Sequence, residues 1–132
     1  MDIVVDTSVI IAVITNEPEK GALVELTRGA DLIAPLSVHW EVGNAFSAML
    51  RRNRITLNVA LEAVEAYQRI PIRLVDVELD ESLRLTGGLS IYAYDAYLIR
   101  CAQRYRSPLL SLDSYLVESA RRTNIDVLEI SK

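Results

Sequence analysis

Ile3-Val4-Val5 is a run of β-branched apolar residues that stops on Asp6 and passes, through Thr7 and Ser8, into a second apolar run from Val9 to Ile14. The first run reads as a short buried strand and the second as the body of a helix. A strand that turns straight into a helix places Asp6 at the strand's C-terminal end, the edge at which open α/β sheets bind ligands. Asp is also a good helix N-cap, so Asp6 by itself does not separate a structural role from a chemical one. The question is whether other acids in the chain meet it there.

The pattern continues as alternating strands and helices. Asn16-Glu17-Pro18-Glu19 has the polar cap, early proline and acids of a helix start, and the helix should run to about Arg28 and stop at Gly29. A second strand is expected over Asp31 to Ala34, closed by Pro35, with Ser37 capping a helix that runs to about Arg52. Val38, Val42, Ala45, Phe46 and Met49 form that helix's apolar stripe. Thr56 caps another helix ending before Pro71, and Ile72 to Val77 alternates as a third strand. A helix around Asp80 to Leu85 is expected to break at a loop, Gly87-Gly88, before a further helix from Tyr94 to Arg106. Leu109 to Leu112 reads as a strand with Asp113 at its end, Ser114 to Arg122 as a helix, and Asp126 to Ile130 as a last strand. This order predicts an α/β fold with a mostly parallel sheet. No repeat, linker or low-complexity segment interrupts it, so one domain over residues 1–132 is expected.

Composition narrows the function. A hydrophobic fraction of 51% supplies a real core, and no apolar run is long enough to span a bilayer. The opening residues lack the pattern of a signal peptide, and the single cysteine, Cys101, rules out an internal disulfide or a Cys-rich zinc site. Cys101 falls in the apolar stripe of its helix, so a core role in a reduced, cytoplasmic protein is expected. The net charge of −4 disfavours broad electrostatic binding to nucleic acid. Almost all the cations are arginines, however, and their planar forks suit phosphate.

Four acids stand where they can converge. Asp113 repeats the strand-end placement of Asp6; Glu41 lies on the border of its helix's apolar stripe, with Asn44 one turn on, and Asp95 borders the stripe of Leu98, Ala102 and Tyr105. Each has an ordinary explanation: a cap for Asp6 and Asp113, a solvated face for Glu41, a favourable helix dipole for Asp95. Sharing one cavity, they would repel one another and raise their own pKa values. Such a site needs compensating charge, and Mg²⁺ or Mn²⁺, held through oxygen ligands and water, is the natural choice. His39 faces away from Glu41 on a helical wheel and is not expected to be a ligand. The chain has no phosphate-binding glycine loop and no nucleophile elbow. Nor does an acid stand two residues after Asp6, as an aspartyl-phosphate phosphatase would require.

Read together, four stretches resemble the motifs of PIN-domain nucleases, in that family's order: Val4-Val5-Asp6-Thr7-Ser8-Val9-Ile10, Trp40-Glu41-Val42-Gly43-Asn44-Ala45, Leu89 to Leu98 around Asp95, and Leu110-Ser111-Leu112-Asp113. The length is most similar to the VapC-type toxins of toxin–antitoxin pairs. The resemblance implies a three-layer α/β/α fold and a Mg²⁺- or Mn²⁺-dependent endoribonuclease leaving 5′-phosphate and 3′-hydroxyl ends. It also implies a homodimer and a cognate antitoxin. Asp6, Glu41 and Asp95 would be the main metal ligands, with Asp113 supporting a second ion. Thr7, Ser8, Asn44 and Ser111 would orient a ligand or a water. Ser111 stands where the family usually has threonine, and keeps the hydroxyl. Two other readings remain open: a PIN nuclease of RNA maturation, and a PIN-like binding module with little catalysis. Against the second, none of the four acids is replaced by an amide or an alanine.

Overall fold

The computed structural model describes residues 1–130. Five strands form one parallel sheet, β1 (Asp2–Val5), β2 (Asp31–Pro35), β3 (Ile72–Val75), β4 (Leu109–Leu110) and β5 (Val127–Leu128), in the order β3-β2-β1-β4-β5. Every pairing is parallel, with Ile3 opposite Leu32, Leu32 opposite Ile72, Val4 opposite Leu109 and Leu110 opposite Leu128. Seven helices connect them: α1 (Thr7–Ile14), α2 (Lys20–Thr27), α3 (Ser37–Arg51), α4 (Leu57–Arg69), α5 (Leu79–Leu89), α6 (Ala93–Arg104) and α7 (Ser114–Arg121).

The strand order fixes the layers. From β1 the chain steps outward to β2 and β3, then returns to β4 on the other side of β1 and steps out to β5. With right-handed crossovers, α1 to α4 cover one face and α5 to α7 the other. The packing agrees: α1 contacts α2, α3 and α4, while α6 lies against β1, β2 and β4 and is backed by α5. This is the expected three-layer α/β/α fold. Its centre is dry, with Ile3, Val4, Val5, Ile33, Leu109 and Leu110 at most 1% exposed, as strands covered on both faces must be. Cys101 is buried among them, and burial pushes its thiol up to about 12, which makes it a packing group. Among the described residues no helix is long and apolar enough to cross a membrane.

The structure corrects several boundaries. Asn16 caps no helix. It takes a left-handed backbone (φ 58°) that ends α1, its side chain accepts from Lys20 Nζ at 2.7 Å, and α2 begins only at Lys20. Asn tolerates that conformation better than most residues, so a polar residue that looked like a start is a stop. The cap of α3 is Leu36, and Ser37 is the helix's first residue with its buried hydroxyl unpaired among the described residues. Gly87-Gly88 is no loop. α5 runs through both glycines to Leu89 and ends on Ser90, which is left-handed at φ 56°. Packing overrides glycine's helix cost of roughly 1 kcal/mol per residue. Ser82 is fully buried, and Leu85 and Leu89 pack on the core, while the glycines face solvent. The fourth strand is shorter than expected, stopping at Leu110, so Asp113 lies beyond the sheet.

Candidate active site

The sheet reverses its winding direction between β1 and β4, and the crevice beyond the C-terminal ends of those strands is where a sheet of this kind binds ligands. Asp6 leaves β1 there. Ser111 and Asp113 leave β4 there. α3 follows β2, so its first turns, with Glu41, begin at the same edge. α6 ends just before β4 and runs back along the sheet, which brings its N-terminal turn, with Asp95, to that edge as well.

Asp6 is the centre of the site. It is 5% exposed, and both of its oxygens are engaged. Ser8 Oγ donates to Oδ1 at 2.6 Å, the Val9 backbone N–H donates to Oδ1 at 3.3 Å, and Ser111 Oγ donates to Oδ2 at 2.6 Å. The two serines are tied in turn. Leu112 N–H donates to Ser8 Oγ at 3.0 Å, and Asp113 N–H donates to Ser111 Oγ at 2.9 Å. One carboxylate therefore clamps the end of β4 to the start of α1. Burial drives the Asp6 carboxyl above its ordinary value. The Ser111, Ser8 and Val9 bonds oppose that rise, and the negative charge of Asp113 adds to it. Asp6 also caps α1, so the structural reading of this residue is correct and coexists with its place in the site.

Glu41 and Asp95 respond to the same neighbourhood. Glu41 is half-buried and pushed up to about 7, first by desolvation and then by Asp6 and Asp95, against the Thr7 hydroxyl that donates to its Oε2 at 3.4 Å. Asp95, also half-buried, is raised by desolvation and by the charges of Asp113 and Asp6. Asp113 is exposed and caps α7, accepting from the Tyr115 and Leu116 backbone N–H groups at 3.0 and 3.3 Å. Thus Asp6, Glu41 and Asp95 each feel the charge of other acids of the set, and Thr7, Ser8 and Ser111 bond directly to two of them. Asn44 is exposed and makes no side-chain hydrogen bond to the cluster among the described residues. His39 shares a 2.9 Å hydrogen bond, through Nδ1, with the Tyr67 hydroxyl and takes no part.

What the arrangement can hold follows from its donors. They are carboxylate and hydroxyl oxygens, with no imidazole or thiolate among them, which suits a hard divalent cation and not zinc. Among the described residues no three Asp, Glu, His or Cys side chains draw tightly enough together to enclose an ion. An open set of this kind fits Mg²⁺ or Mn²⁺ better than Ca²⁺, because Mg²⁺ keeps several of its waters and needs only one or two direct carboxylates. The raised pKa values point the same way: the acids are poorly compensated by the protein itself. An apolar cavity of about 150 Å³ lined by Val9, Val13, Leu23 and Ile72 lies under α1 and α2 and contains no titratable group, so the chemistry is not there.

Sequence reasoning missed the depth of the serine clamp. It placed Ser8 and Ser111 near the acids, but not as the pair that occupies both oxygens of Asp6. The signal is the hydroxyl-bearing residue two positions from each strand-end acid, Asp6-x-Ser8 and Ser111-x-Asp113.

A family model described as PIN domain matches residues 3–125 of the chain. No curated protein matches it. Among solved structures the chain is similar to PAE2754 from Pyrobaculum aerophilum, with 20% identity and a TM-score of 0.71 over 90% of this chain and 87% of that one. It is also similar to VapC20 from Mycobacterium tuberculosis, a sarcin-ricin loop cleaving toxin, with 16% identity and a TM-score of 0.63 over 89% of this chain and 94% of that one. A third similar structure is VapBC2 from Rickettsia felis bound to a DNA fragment from its promoter, with 13% identity, a TM-score of 0.66 and 98% of each chain covered. At these identities the likeness is one of fold.

Proposed function

The chain belongs to the PIN-domain family, a family of nucleases, and on that premise we propose that it is a divalent-metal-dependent endoribonuclease, the toxin of a toxin–antitoxin pair. The observation that carries the reading is the Asp6 carboxylate, buried at the switch point of the sheet with both oxygens fixed by serines, with Glu41, Asp95 and Asp113 acting on it or on one another as like charges. Burying such a group is costly unless a cation joins it. Mg²⁺ or Mn²⁺ would be held by Asp6, Glu41 and Asp95, one or two of them directly and the rest through water, with Asp113 at the margin. When bound, the ion supplies positive charge opposite a phosphodiester and lowers the pKa of water for in-line attack.

The chain's own residues prepare that site. Ser8 and Ser111 set the rotation of the Asp6 carboxylate, leaving it no freedom to turn toward solvent. Thr7 holds Glu41 from the first turn of α1. Each of these bonds orients a ligand from behind, as supporting groups do in metal sites generally. Similarity to the family supports products with 5′-phosphate and 3′-hydroxyl ends, a homodimer, an antitoxin partner and a single PIN domain acting in the cytoplasm; the likeness in fold to VapBC2 is a second support for the partner.

Cleavage of a defined RNA by the purified protein tests the chemistry. It should need Mg²⁺ or Mn²⁺ and stop in EDTA, and undiminished cleavage by metal-free protein would sink the mechanism. Expression in a bacterial host with and without the gene immediately upstream tests the toxin assignment. Growth arrest relieved by that gene is expected; equal growth in both cases, with active protein present, would point to RNA maturation.

A further inference from the structure

Twelve residues of the chain are arginine, and seven of them pair with a carboxylate among the described residues. Five do not, and three of those five, Arg51, Arg52 and Arg54, fall within four consecutive residues at the turn from α3 to α4. All three are exposed. No acid stands between Glu41 and Glu62, so a stretch of twenty residues carries +3 in a chain of net charge −4. Cations at a helix C-terminus complement its dipole, which accounts for Arg51 and Arg52. It does not account for Arg54, which lies beyond the helix, or for the missing acids.

α3 joins this turn to the carboxylate site. The helix spans Ser37–Arg51, and the Arg52 N–H still donates to the Ala48 carbonyl at 3.2 Å, so helical geometry holds as far as Arg52. At 3.6 residues per turn, Arg52 lies within about 20° of Glu41 around the axis and about 16 Å along it. Asn44, Ala48 and Arg51 fall on the same side, within roughly 80° of Glu41. The side chains on that side between the acid and the arginines are short and uncharged, with Asn44 exposed and Ala48 partly so. Asn53 turns the chain with a left-handed backbone (φ 55°), and the Arg54 N–H bonds back to the Met49 carbonyl at 3.0 Å. Arg54 then lines an open hollow of about 490 Å³ with Asn53 and Thr56 at the start of α4, where helix N–H groups favour an anion.

We propose that Arg51, Arg52 and Arg54 bind backbone phosphates of the substrate RNA, so that the strand cut at the carboxylate cluster runs along this face of α3 to the α3–α4 turn. The inference rests on the nuclease reading and adds a second contact point, which fixes the direction of the strand across the site. The carboxylates, even with a cation bound, neutralise no phosphate away from the cut, and a polyanion needs such contacts to be held. The planar fork of arginine grips a phosphate with two parallel hydrogen bonds, and the short side chains along the path leave the strand room to lie on the helix. A strand rising roughly 3.4 Å per stacked nucleotide covers a span of about 16 Å in about five nucleotides. An acidic protein segment could meet the arginines too, but it would gain nothing from the line that joins them to Glu41.

Salt dependence makes the idea measurable. Binding of an end-labelled RNA oligonucleotide with a mapped cut is followed by anisotropy over a range of salt, with Ca²⁺ replacing Mg²⁺ to slow cleavage. The triple variant Arg51→Gln, Arg52→Gln, Arg54→Gln should show a log–log salt slope shallower by about 2 to 3, at roughly 0.7–0.9 for each phosphate contact. Its disadvantage against wild type should therefore shrink roughly 20- to 40-fold between about 50 and 200 mM salt. The triple lysine variant keeps the charges and should keep the slope. In Mg²⁺ the glutamine variant should raise KM with kcat changed much less. Uncharged methylphosphonate linkages about five nucleotides to one side of the cut should weaken binding to wild type and have no further effect on the glutamine variant. RNA bound and cleaved by the glutamine variant with its salt slope unchanged would overturn the phosphate contact and leave the nuclease reading standing. Neutral linkages on either side that leave wild-type affinity unchanged would do the same, without needing any variant to fold. Normal RNA binding by the glutamine variant, with loss of its complex with the product of the upstream gene, would make the turn a protein surface and overturn the proposal. A protein that neither binds nor cleaves any RNA in Mg²⁺ or Mn²⁺ overturns both readings.

Discussion

Asp6 and Asp113 share one sequence signature and meet opposite fates. Each follows an apolar strand, each caps the next helix, and each lies two residues from a serine hydroxyl. Asp6 is buried, takes three hydrogen bonds and is raised in pKa; Asp113 is exposed and spends its Oδ1 on the α7 backbone. The difference begins two residues upstream. β1 runs through Val5, directly to Asp6, whereas β4 ends at Leu110 and lets Ser111 and Leu112 carry the chain out over the edge. Ser111 turns back to Asp6, so the fourth motif contributes its hydroxyl to the centre and its carboxylate only to the margin. Capping and a place among the clustered acids are therefore not competing explanations; the surroundings of the cap decide whether it is buried with them.

The largest effect should come from exchanging the two acids for amides. Asp6→Asn should abolish metal-dependent cleavage, while Asp113→Asn should lower it by about 10–100-fold, the range expected for a supporting group. Cleavage rates on one RNA at saturating Mg²⁺ decide the matter. If Asp113→Asn proves the more damaging, the centre of the site has been misassigned.

Ser111 is the hinge of the comparison and should give the next largest change. Ser111→Ala deprives Asp6 Oδ2 of its donor and Asp113 N–H of its acceptor, which should cost about 1–3 kcal/mol of stability and weaken Mg²⁺ binding as Asp6 becomes free to rotate. Ser111→Thr keeps the hydroxyl and should retain both. Denaturant unfolding and metal titration of the two variants check this; a Thr variant as impaired as the Ala variant would mean that packing, not the hydroxyl, matters at this position.

In the metal-free protein the two caps should separate again, more modestly. Asp113→Ala removes a solvated cap and should cost ~0.5–2 kcal/mol. Asp6→Asn keeps a capping oxygen and removes a buried charge among like charges, so it should be as stable as wild type or more so. Thermal melts in EDTA measure both. A clear loss of stability in Asp6→Asn would show that its serine bonds outweigh its repulsion.

How much of this was legible in the sequence follows from the same pair of residues. The strand ends, the helix faces and hence the four acids came from apolar periodicity, which survives because a parallel sheet buries both faces of its strands and one face of every helix. Glu41 could be placed because it borders the stripe of Val38 and Val42, which are both buried. What periodicity does not carry is the distance across the fold. That Ser111 reaches Asp6, 105 residues away, depends on β4 stopping at Leu110, and nothing local marks that stop. Asn16 and Gly87-Gly88 were misread for a related reason: punctuating residues have local preferences of about 1 kcal/mol, and packing on either side outweighs them.

The smallest effect is in the pH dependence of stability, and its sign depends on metal. In the metal-free fold the carboxyls of Asp6, Glu41 and Asp95 are all raised, Glu41 to about 7 from an ordinary 4.5. A raised acid costs nothing where it is protonated in both folded and unfolded chains, and its full penalty applies once pH exceeds its folded value. Metal-free stability should therefore increase as pH is lowered from 8 to about 5, most of the Glu41 share falling between 7 and 5. Glu78 acts oppositely and lower down. The Arg100 guanidinium, donating to its two oxygens at 3.1 and 2.9 Å, holds its carboxyl down at about 2, so the stability of that pair is present above 4.5 and lost as pH falls toward 2. Melting temperature in EDTA should thus rise and then fall as the solution is acidified. Saturating Mg²⁺ should reverse the upper limb, because the ion binds only deprotonated carboxylates and its stabilisation grows with pH. Glu41→Gln should flatten that limb in both conditions and leave the acid limb, to which Glu78 contributes, unchanged. An upper limb identical in wild type and Glu41→Gln would remove Glu41 from the cluster, and the case for a shared cation would then rest on Asp6 and Asp95 alone.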